Sequence, residues 1–333
     1  MISEIDMVEI RLLGLVQADF PLETRPFACL AEILGATESQ IIGDISDLKA
    51  RRLIREIGPV VCPQALGFQT TLVAMKVKAE NLETAENSIA NNPGISHAYI
   101  RENFFNLWVT LAVPVETDLD FAVQELGLAC GADDAISLAA IKTYKLKALF
   151  GTAADTVSPD APAVANRLAL TGLERRVINA IQRDLPVEPE PFNAMATEAG
   201  LETTELLAMV DALKSRGVIR RYGANINHRK AGYAANAMAC WKVPADQLDE
   251  MGGTLASRRE VSHCYSRRSD ARWPYNLYAM IHAATKEECR GVADEVTASS
   301  DAGEPILLFS SREIKKSRNR YAANPLPKME NRV

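Results

Sequence analysis

The chain of 333 residues is long enough for two or more domains, and its 47% hydrophobic and 24% charged residues are typical of a soluble globular protein. A net charge of -6 argues against non-specific binding of nucleic acid. The sequence has no apolar run of about 18 residues, so no membrane span is expected. The acidic start "MISEIDMVEI" does not resemble a signal peptide, so we expect a cytoplasmic protein. Six scattered cysteines without a C-x-x-C pair predict reduced core residues.

Residues 1–60 predict a winged helix-turn-helix domain. Helical patterns cover residues 4–17, 26–34 and 38–51, and Gly35 separates the second helix from the third. The β-prone segment "LIREIGPVV" follows them in the position of a wing.

Residues 61–150 predict a ferredoxin-like domain. The pattern reads strand, helix, strand, strand, helix, strand, over residues 70–77, 80–91, 95–101, 106–113, 118–127 and 135–142. This order is the split βαβ arrangement. Residues 151–170, rich in Ala, Pro, Asp and Thr, then predict a flexible linker.

The second half of the chain repeats the first at an offset of about 165 residues. Phe27 matches Phe192 and Gly35 matches Gly200. The repeat predicts a second winged helix-turn-helix over residues 171–226 and a second ferredoxin-like domain over residues 227–325, with strands near 235–243, 261–267, 275–282 and 306–311. The predicted fold class is α+β, a tandem duplication of these two domains.

The motif Ser-His-x-Tyr-x-Arg occurs once in each copy, as "SHAYIR" (96–101) and "SHCYSR" (262–267). Histidine occurs only four times in the chain, so its repetition within one motif points to function. Side chains alternate along a strand, so the histidine, tyrosine and arginine of each motif point the same way. His282, at the end of an apolar strand, is interpreted as a core residue.

This architecture resembles the Lrp/AsnC transcription regulators, which bind DNA through the helix-turn-helix. The helices that would enter the major groove carry carboxylates, which oppose contact with phosphates. These are Glu38, Asp44 and Asp47 in copy one, and Glu202, Glu205 and Asp211 in copy two. We therefore expect that DNA binding is lost.

The segments "VIRRYGANINHRKAGY", "SHCYSRR", "WPYNLYAMIH" and "SSREIKKSRNRY" resemble the siroheme decarboxylases, which share the regulator fold. The resemblance implies that two homologous subunits are fused here. It also implies removal of two acetate carboxyl groups from siroheme, giving 12,18-didecarboxysiroheme in heme d1 or alternative heme biosynthesis. No cofactor is expected, because the iron arrives with the siroheme.

Three demands follow from that chemistry: an aromatic slot for the macrocycle, cations for its carboxylates, and a proton donor. Histidine, whose ordinary pKa is near 6.5, suits the last role, so His263 and His97 are the predicted catalytic residues. The candidate substrate-binding residues are Tyr99, Arg101, Arg220, Arg221, His228, Tyr265, Arg267, Arg268, Trp273 and Asn276. No metal site of the protein's own is expected, although His228 or His263 is a candidate ligand of the siroheme iron.

Copy two has the richer surroundings, so we expect the principal pocket there. Copy one has Pro63 at the position of His228 in copy two, and it has Glu56 at the position of Arg221 in copy two. His97 then either reaches that pocket or lines a degenerate twin. The expected partner is siroheme, without nucleic acid or membrane, and the two copies are expected to form an intramolecular pseudo-dimer that can dimerise further. The alternatives are a heme- or siroheme-responsive transcription regulator of the Lrp/AsnC type and a tetrapyrrole carrier without catalysis.

Overall fold

The structure is a computed structural model that describes residues 7–146, 168–227 and 235–321. Within them, residues 7–68, 168–227 and 320–321 form one compact unit, and residues 69–146 and 235–319 form another. The first unit thus contains the helix-turn-helix parts of both copies, and the second contains both ferredoxin-like parts. His228 and residues 151–167 of the predicted linker lie outside the described residues.

Copy one follows the predicted order of elements. They are α1 (Met7–Ala18), α2 (Pro26–Leu34), α3 (Glu38–Ala50), β1 (Ile54–Val61), β2 (Phe68–Val77), α4 (Leu82–Asn91), β3 (Ile95–Arg101), β4 (Leu107–Pro114), α5 (Leu119–Ala129) and β5 (Ala132–Leu146).

Copy two repeats that order. Its elements are α6 (Gly172–Ile181), α7 (Asn193–Ala199), α8 (Thr203–Ser215), β6 (Ile219–Ile226), β7 (Ala235–Trp241), α9 (Leu248–Ser257), β8 (Val261–Arg267), β9 (Leu277–Ala283), α10 (Lys286–Thr297) and β10 (Ile306–Lys316).

Local sequence signals explain the helix boundaries. Thr37 caps α3 in a capping box with Gln40, so two backbone N–H groups at the helix start are satisfied. Gly35 and Gly200 end α2 and α7 with φ of 68° and 73°, a left-handed conformation that glycine adopts without steric cost. The turn of each helix-turn-helix is therefore fixed by one glycine.

In the first unit, the wings of the two copies pair with each other. β1 and β6 form a two-stranded antiparallel sheet in which Gly58 faces Gly223. A Cβ atom at Gly223 would lie 2.8 Å from the carbonyl oxygen of Gln17 and 2.9 Å from that of Val16, so glycine allows α1 to approach the sheet closely. The wings thus join the two copies instead of standing alone.

In the second unit, the two four-stranded sheets join edge to edge into a closed barrel. The strand order is β10-β3-β4-β2-β5-β8-β9-β7, and β7 pairs with β10 to close it. The last strand of each copy crosses to the other: β5 pairs with β8, and β10 pairs with β3. Both crossing strands are longer than predicted, because their polar second halves are paired with a neighbouring strand.

Three hydrophobic clusters build this second unit. One lies between the sheet and helices of copy one, and another lies between those of copy two. The third draws residues from both copies and fills the barrel interior: Leu72, Ala74, Phe105, Trp108, Ile136, Leu138, Met238, Cys240, Trp273, Tyr278 and Leu308. We call this third set the interior cluster. Among the helices that the structure describes, none is long and apolar enough to cross a membrane.

Candidate functional site

The repeated motif forms one row of side chains in each copy. The rows are His97, Tyr99 and Arg101 on β3, and His263, Tyr265 and Arg267 on β8. The histidine and tyrosine ring centroids are 6.3 Å apart in the first row and 6.2 Å apart in the second. The guanidinium carbon of the arginine lies 5.5 Å and 4.7 Å, respectively, from the tyrosine centroid. Each predicted triplet therefore shares one face of its strand.

Both rows face the barrel interior. Tyr265 pairs with Tyr278, which belongs to the interior cluster, and His263 pairs with Met280, which packs against that cluster. Tyr99 likewise pairs with Trp108 of the same cluster. The two rows thus share one lining, built from both copies.

Both histidines also lie toward the same end of the barrel. Going from β10 through β7, β9 and β8 to β5, each neighbouring pair is antiparallel, so β10 and β5 run in the same direction. β3 is antiparallel to β10 and β8 to β5, so these two strands also share a direction. His97 and His263 are each the third residue of their strand.

A β-bulge places a serine hydroxyl against each histidine ring. The strand register shifts between Ile95 and His97, and again between Val261 and His263. The extra residue lets serine and histidine lie on the same side. The Oγ atom of Ser96 is 2.9 Å from Nδ1 of His97, and the matching distance in copy two is 2.8 Å. Sequence reasoning missed this role, although the serine belongs to the repeated motif.

His282 joins this group in copy two. Its Nε2 atom is 2.7 Å from Oγ of Ser262, the same atom that contacts His263. It alternates with Ile281 and Ala283, which face the helices, so it points into the barrel. Burial, with a contribution from the nearby Lys316 ammonium, lowers the pKa of His282 to about 4. Its interpretation as a plain core residue is therefore incomplete.

Arg101 and Arg267 bind the opposite copy. Arg101 donates to the carbonyl oxygen of Leu308, and Arg267 donates to that of Leu138 at 2.9 Å. The two arginines lie close enough to Cys240 to oppose the rise in its thiol pKa that burial causes. Burial lowers the pKa of Arg267, which has no carboxylate partner among the described residues. Arg267 is half-buried, and a desolvated cation without an anion is unfavourable unless something else compensates it.

Asn276, a predicted substrate-binding residue, has its side chain hydrogen-bonded to the backbone. Its side-chain Oδ1 accepts from the backbone N–H of Val243 at 2.9 Å, and its Nδ2 donates to the Val243 carbonyl at 2.8 Å. Asn106 makes the same pair of bonds to Val77 in copy one. The repeated asparagine therefore fixes the end of the first sheet strand in each copy, and its amide is committed to the backbone.

Trp273 was expected to stack on the macrocycle from an irregular loop. The structure instead buries this side chain to 4% exposure, and the residue forms an isolated β-bridge with Asp270. Its ring packs edge-on against Trp108 with centroids 5.2 Å apart, and against Phe105 at 6.0 Å. A ring enclosed in this way fills the interior cluster and offers no open face to a ligand.

The remaining predicted cations are divided between the two units. Arg268 is exposed and forms an ion pair with Asp120 at 2.5 Å. Arg220 and Arg221 belong to the helix-turn-helix unit, where Arg221 donates to the carbonyl oxygen of Gln17. Since they are neighbours on β6, their side chains point to opposite faces.

The cysteines are buried thiols, except for the partly exposed Cys29, and none forms a disulfide. Burial raises the pKa of Cys264 to about 12 and that of Cys130 to about 11. Across residues 7–146, 168–227 and 235–321, no group of three or more His, Cys, Asp or Glu is arranged to hold a metal ion.

Comparison with protein families finds two models, each of which matches the chain twice. The model described as an AsnC-like ligand binding domain matches residues 65–145 and 230–315. The model described as a siroheme decarboxylase NirDL-like HTH domain matches residues 9–55 and 174–220. Each model therefore matches once in each copy of the repeat.

Individual relatives agree with the family models. A siroheme decarboxylase of Hydrogenobacter thermophilus is 36% identical over 314 residues, which cover 93% of this chain and 94% of the relative. A siroheme decarboxylase beta subunit of Desulfovibrio desulfuricans is 39% identical over 149 residues, which cover 44% of this chain and 94% of the relative. Single subunits of that size correspond to one copy of the repeat.

Solved structures lead to the same family. The crystal structure of the siroheme decarboxylase NirDL superposes with a TM-score of 0.70 at 33% identity and covers 93% of each chain. A second structure of NirDL, in co-complex with an iron-uroporphyrin III analogue, also gives a TM-score of 0.70 at 33% identity and covers 94% of this chain and 93% of NirDL. With relatives matched over nearly its whole length, the chain belongs to the siroheme decarboxylase family.

Proposed function

We propose that this chain is a siroheme decarboxylase that carries both halves of a two-subunit enzyme. It removes two acetate carboxyl groups from siroheme and releases 12,18-didecarboxysiroheme, an intermediate for heme d1 or alternative heme biosynthesis. The relatives named siroheme decarboxylase, and the NirDL complex with an iron-uroporphyrin III analogue, support this substrate class. The reaction needs no resident cofactor, since the iron belongs to the substrate.

The observation that carries the proposal is the row of His263, Tyr265 and Arg267. It presents a proton donor, an aromatic face and a cation on one face of β8. Arg267 has no carboxylate partner among the described residues, so an anionic substituent of the substrate would compensate its charge. Siroheme carries eight carboxylates, which makes it suited to such a lining.

His263 supplies the proton that the reaction consumes. As the bond between the acetate methylene carbon and its carboxyl group breaks, carbon dioxide leaves and the electron pair stays on the methylene carbon. The imidazolium of His263 gives a proton to that carbon, which becomes a methyl group, and the neutral ring regains a proton from water. Two rounds of this reaction convert two acetates to methyl groups.

The arginine must bind carboxylates that do not react. A guanidinium forked onto the leaving carboxylate would stabilise the ground state and oppose loss of carbon dioxide. We therefore assign Arg267 to a propionate or to a spectator acetate, while the reacting acetate lies beside His263. Arg267→Met should then raise the dissociation constant of siroheme by a larger factor than it lowers kcat. An unchanged dissociation constant would contradict this role.

Anaerobic incubation of the purified protein with siroheme tests the function directly. Mass analysis should show siroheme losing one carbon dioxide and then a second, because each decarboxylation removes one such unit. Heat-inactivated protein is the control for spontaneous loss. Siroheme that is bound but recovered intact would contradict the proposal and favour a tetrapyrrole carrier.

A regulator of the Lrp/AsnC type is the second candidate, because the AsnC-like ligand binding domain is shared with that class. The helix that would contact DNA, α3, carries acidic residues: Glu38 is ion-paired with Arg25, and Asp47 lies 2.8 Å from Arg51. These carboxylates oppose contact with DNA phosphates. A gel-shift assay at low salt with the upstream DNA of the gene should show no specific complex. A tight complex that weakens with added salt would favour the regulator.

A further inference from the structure

Copy two contains a hydrogen-bonded chain of three side chains. The Oγ atom of Ser262 lies 2.8 Å from Nδ1 of His263 and 2.7 Å from Nε2 of His282. β8 contributes the first two residues and β9 the third, so two neighbouring strands of the barrel hold the chain together. The bulge in β8 is what brings the serine onto the same side as the histidine.

Copy one has only the first link of this chain. Ser96 contacts His97, but the residue at the position of His282 is Ala112, which has no group to continue the chain. The register fixes this equivalence, because Leu111 pairs with Ile95 in copy one as Ile281 pairs with Val261 in copy two. The third residue is therefore specific to the copy expected to hold the principal site.

The hydroxyl of Ser262 has one hydrogen, which limits the arrangement to two states. The hydroxyl donates to one imidazole nitrogen, and the other nitrogen must then donate its own hydrogen to Oγ. Burial and the nearby ammonium of Lys316 disfavour the charged form of His282. A neutral imidazole is able to accept a hydrogen bond at Nε2. The charged ring of His263, as the proposed proton donor, carries hydrogen on both nitrogens and can only donate at Nδ1, which selects the state in which Ser262 accepts from His263 and donates to His282.

We propose that His282 is a positioning residue for His263 and acts through Ser262. Nε2 of His282 accepts the hydroxyl proton, so Oγ of Ser262 accepts the hydrogen on Nδ1 of His263. Nε2 of His263 is then the nitrogen that faces the substrate and gives up the proton. After the transfer, the ring is left neutral with its proton on Nδ1, the tautomer that the chain stabilises.

This inference rests on the proposed function and deepens it, but its first test does not need siroheme. The sequence contains only four histidines, so nitrogen-15 labelling of histidine gives a spectrum simple enough to assign. His263→Ala and His282→Gln identify two of the four rings. At about pH 8, above the ordinary pKa of histidine, Nδ1 of His263 should carry the proton and Nε2 of His282 should not. The reverse pattern would overturn the proposal.

Kinetics provide the second test. His282→Leu and Ser262→Ala should each lower kcat by about 10- to 100-fold, the usual effect of removing a residue that orients a functional histidine. KM for siroheme should stay within about twofold, since neither residue is assigned to substrate binding. The double variant should be no slower than either single variant, because both changes break the same chain.

His282→Gln is the matched control. Its Oε1 atom can accept a hydrogen bond where Nε2 lies, so it should recover most of the lost kcat, whereas a purely structural role for the ring would leave it as slow as His282→Leu. Ser262→Ala keeps the test available if the leucine variant fails to fold. If the wild type does not decarboxylate siroheme, the proposed function fails and the nitrogen spectrum alone decides the inference. An active wild type whose leucine variant keeps full kcat would overturn the inference and leave the proposed function intact.

Discussion

The two histidines of the repeat have equivalent backbone positions but different neighbours. His97 on β3 is paired with Lys316 on β10, whereas His263 on β8 is paired with the apolar Leu146 on β5. Copy two adds His282, which copy one replaces with alanine. The two histidines thus have the same backbone position but different neighbouring side chains. This is the result expected when both copies of a duplicated site keep the fold and only one keeps all the catalytic side chains.

This asymmetry predicts that His263→Ala is the more damaging of the two histidine variants. Turnover of siroheme should fall by about 100- to 10,000-fold, the usual loss when a positioned general acid is removed, while siroheme still binds. His97→Ala is the matched variant, and it should lose less activity. Single-turnover rates at saturating siroheme measure both. A dead His97→Ala beside a nearly normal His263→Ala would place the chemistry in copy one.

The repeated asparagines predict an effect on stability rather than on binding. Asn276→Ala leaves the N–H and the carbonyl of Val243 without their partner, which should cost about 1–3 kcal/mol of unfolding free energy. Asn106→Ala should cost a similar amount, because it breaks the same pair of bonds in copy one. Thermal unfolding measures both variants. Unchanged stability with a raised KM in Asn276→Ala would return this residue to the substrate site.

Alternation along a strand was enough to predict that each histidine, tyrosine and arginine share a face. The partners of those residues could not be predicted, because they depend on strand register. The bulge that turns Ser262 toward His263 has no sequence signal of its own, and His282 meets them only through the pairing of β8 with β9. The burial of Trp273 could not be predicted for the same reason: besides Tyr275 of its own copy, it packs against Phe105 and Trp108 of the other copy.

At the scale of elements, β5 and β10 are the strands that differ most from expectation. Their second halves, "KTYKL" and "REIKK", are polar and do not alternate as a half-buried strand would. They are strands because each pairs with the motif strand of the other copy, a long-range contact that local pattern cannot reveal. The order of elements, in contrast, follows from local periodicity alone.

The packing of α9 on β5 predicts opposite effects at two neighbouring glycines. A Cβ atom at Gly252 would lie 2.7 Å from the ring of Tyr144, so Gly252→Ala should lower the unfolding free energy by about 1–3 kcal/mol. Gly253, next in the helix, has no atom within 4 Å of the same position. Gly253→Ala should therefore raise stability by about 0.5–1 kcal/mol through helix propensity.

Scanning calorimetry of the full chain separates these two cases. The transition temperature should fall for Gly252→Ala and rise for Gly253→Ala. Tyr144 also donates to Asp249 of α9 at 2.6 Å, so displacing its ring would disturb a second contact between the copies. Equal shifts in both variants would show that α9 does not approach the strand of copy one this closely.

At the scale of the whole chain, the two copies are joined by more than their linker. Within the ferredoxin-like unit, β5 pairs with β8 and β10 pairs with β3, which joins the sheets of the two copies. Within the helix-turn-helix unit, β1 pairs with β6. Opening the barrel would expose the interior cluster, which both copies fill. Cutting the chain between the copies removes only their covalent link. That link favours association of the two copies by raising the effective concentration of one near the other.

A specific protease site introduced at residues 155–160 tests this argument. After cleavage, the two fragments should elute together in gel filtration and separate only in denaturant, with the uncut variant as control. The co-eluting pair should still decarboxylate siroheme, because β5 of one fragment continues to support the His263 strand of the other. Neither fragment alone should be active, since each retains only half of the barrel lining. Fragments that elute separately, or full activity in copy two alone, would contradict a site that depends on the closed barrel.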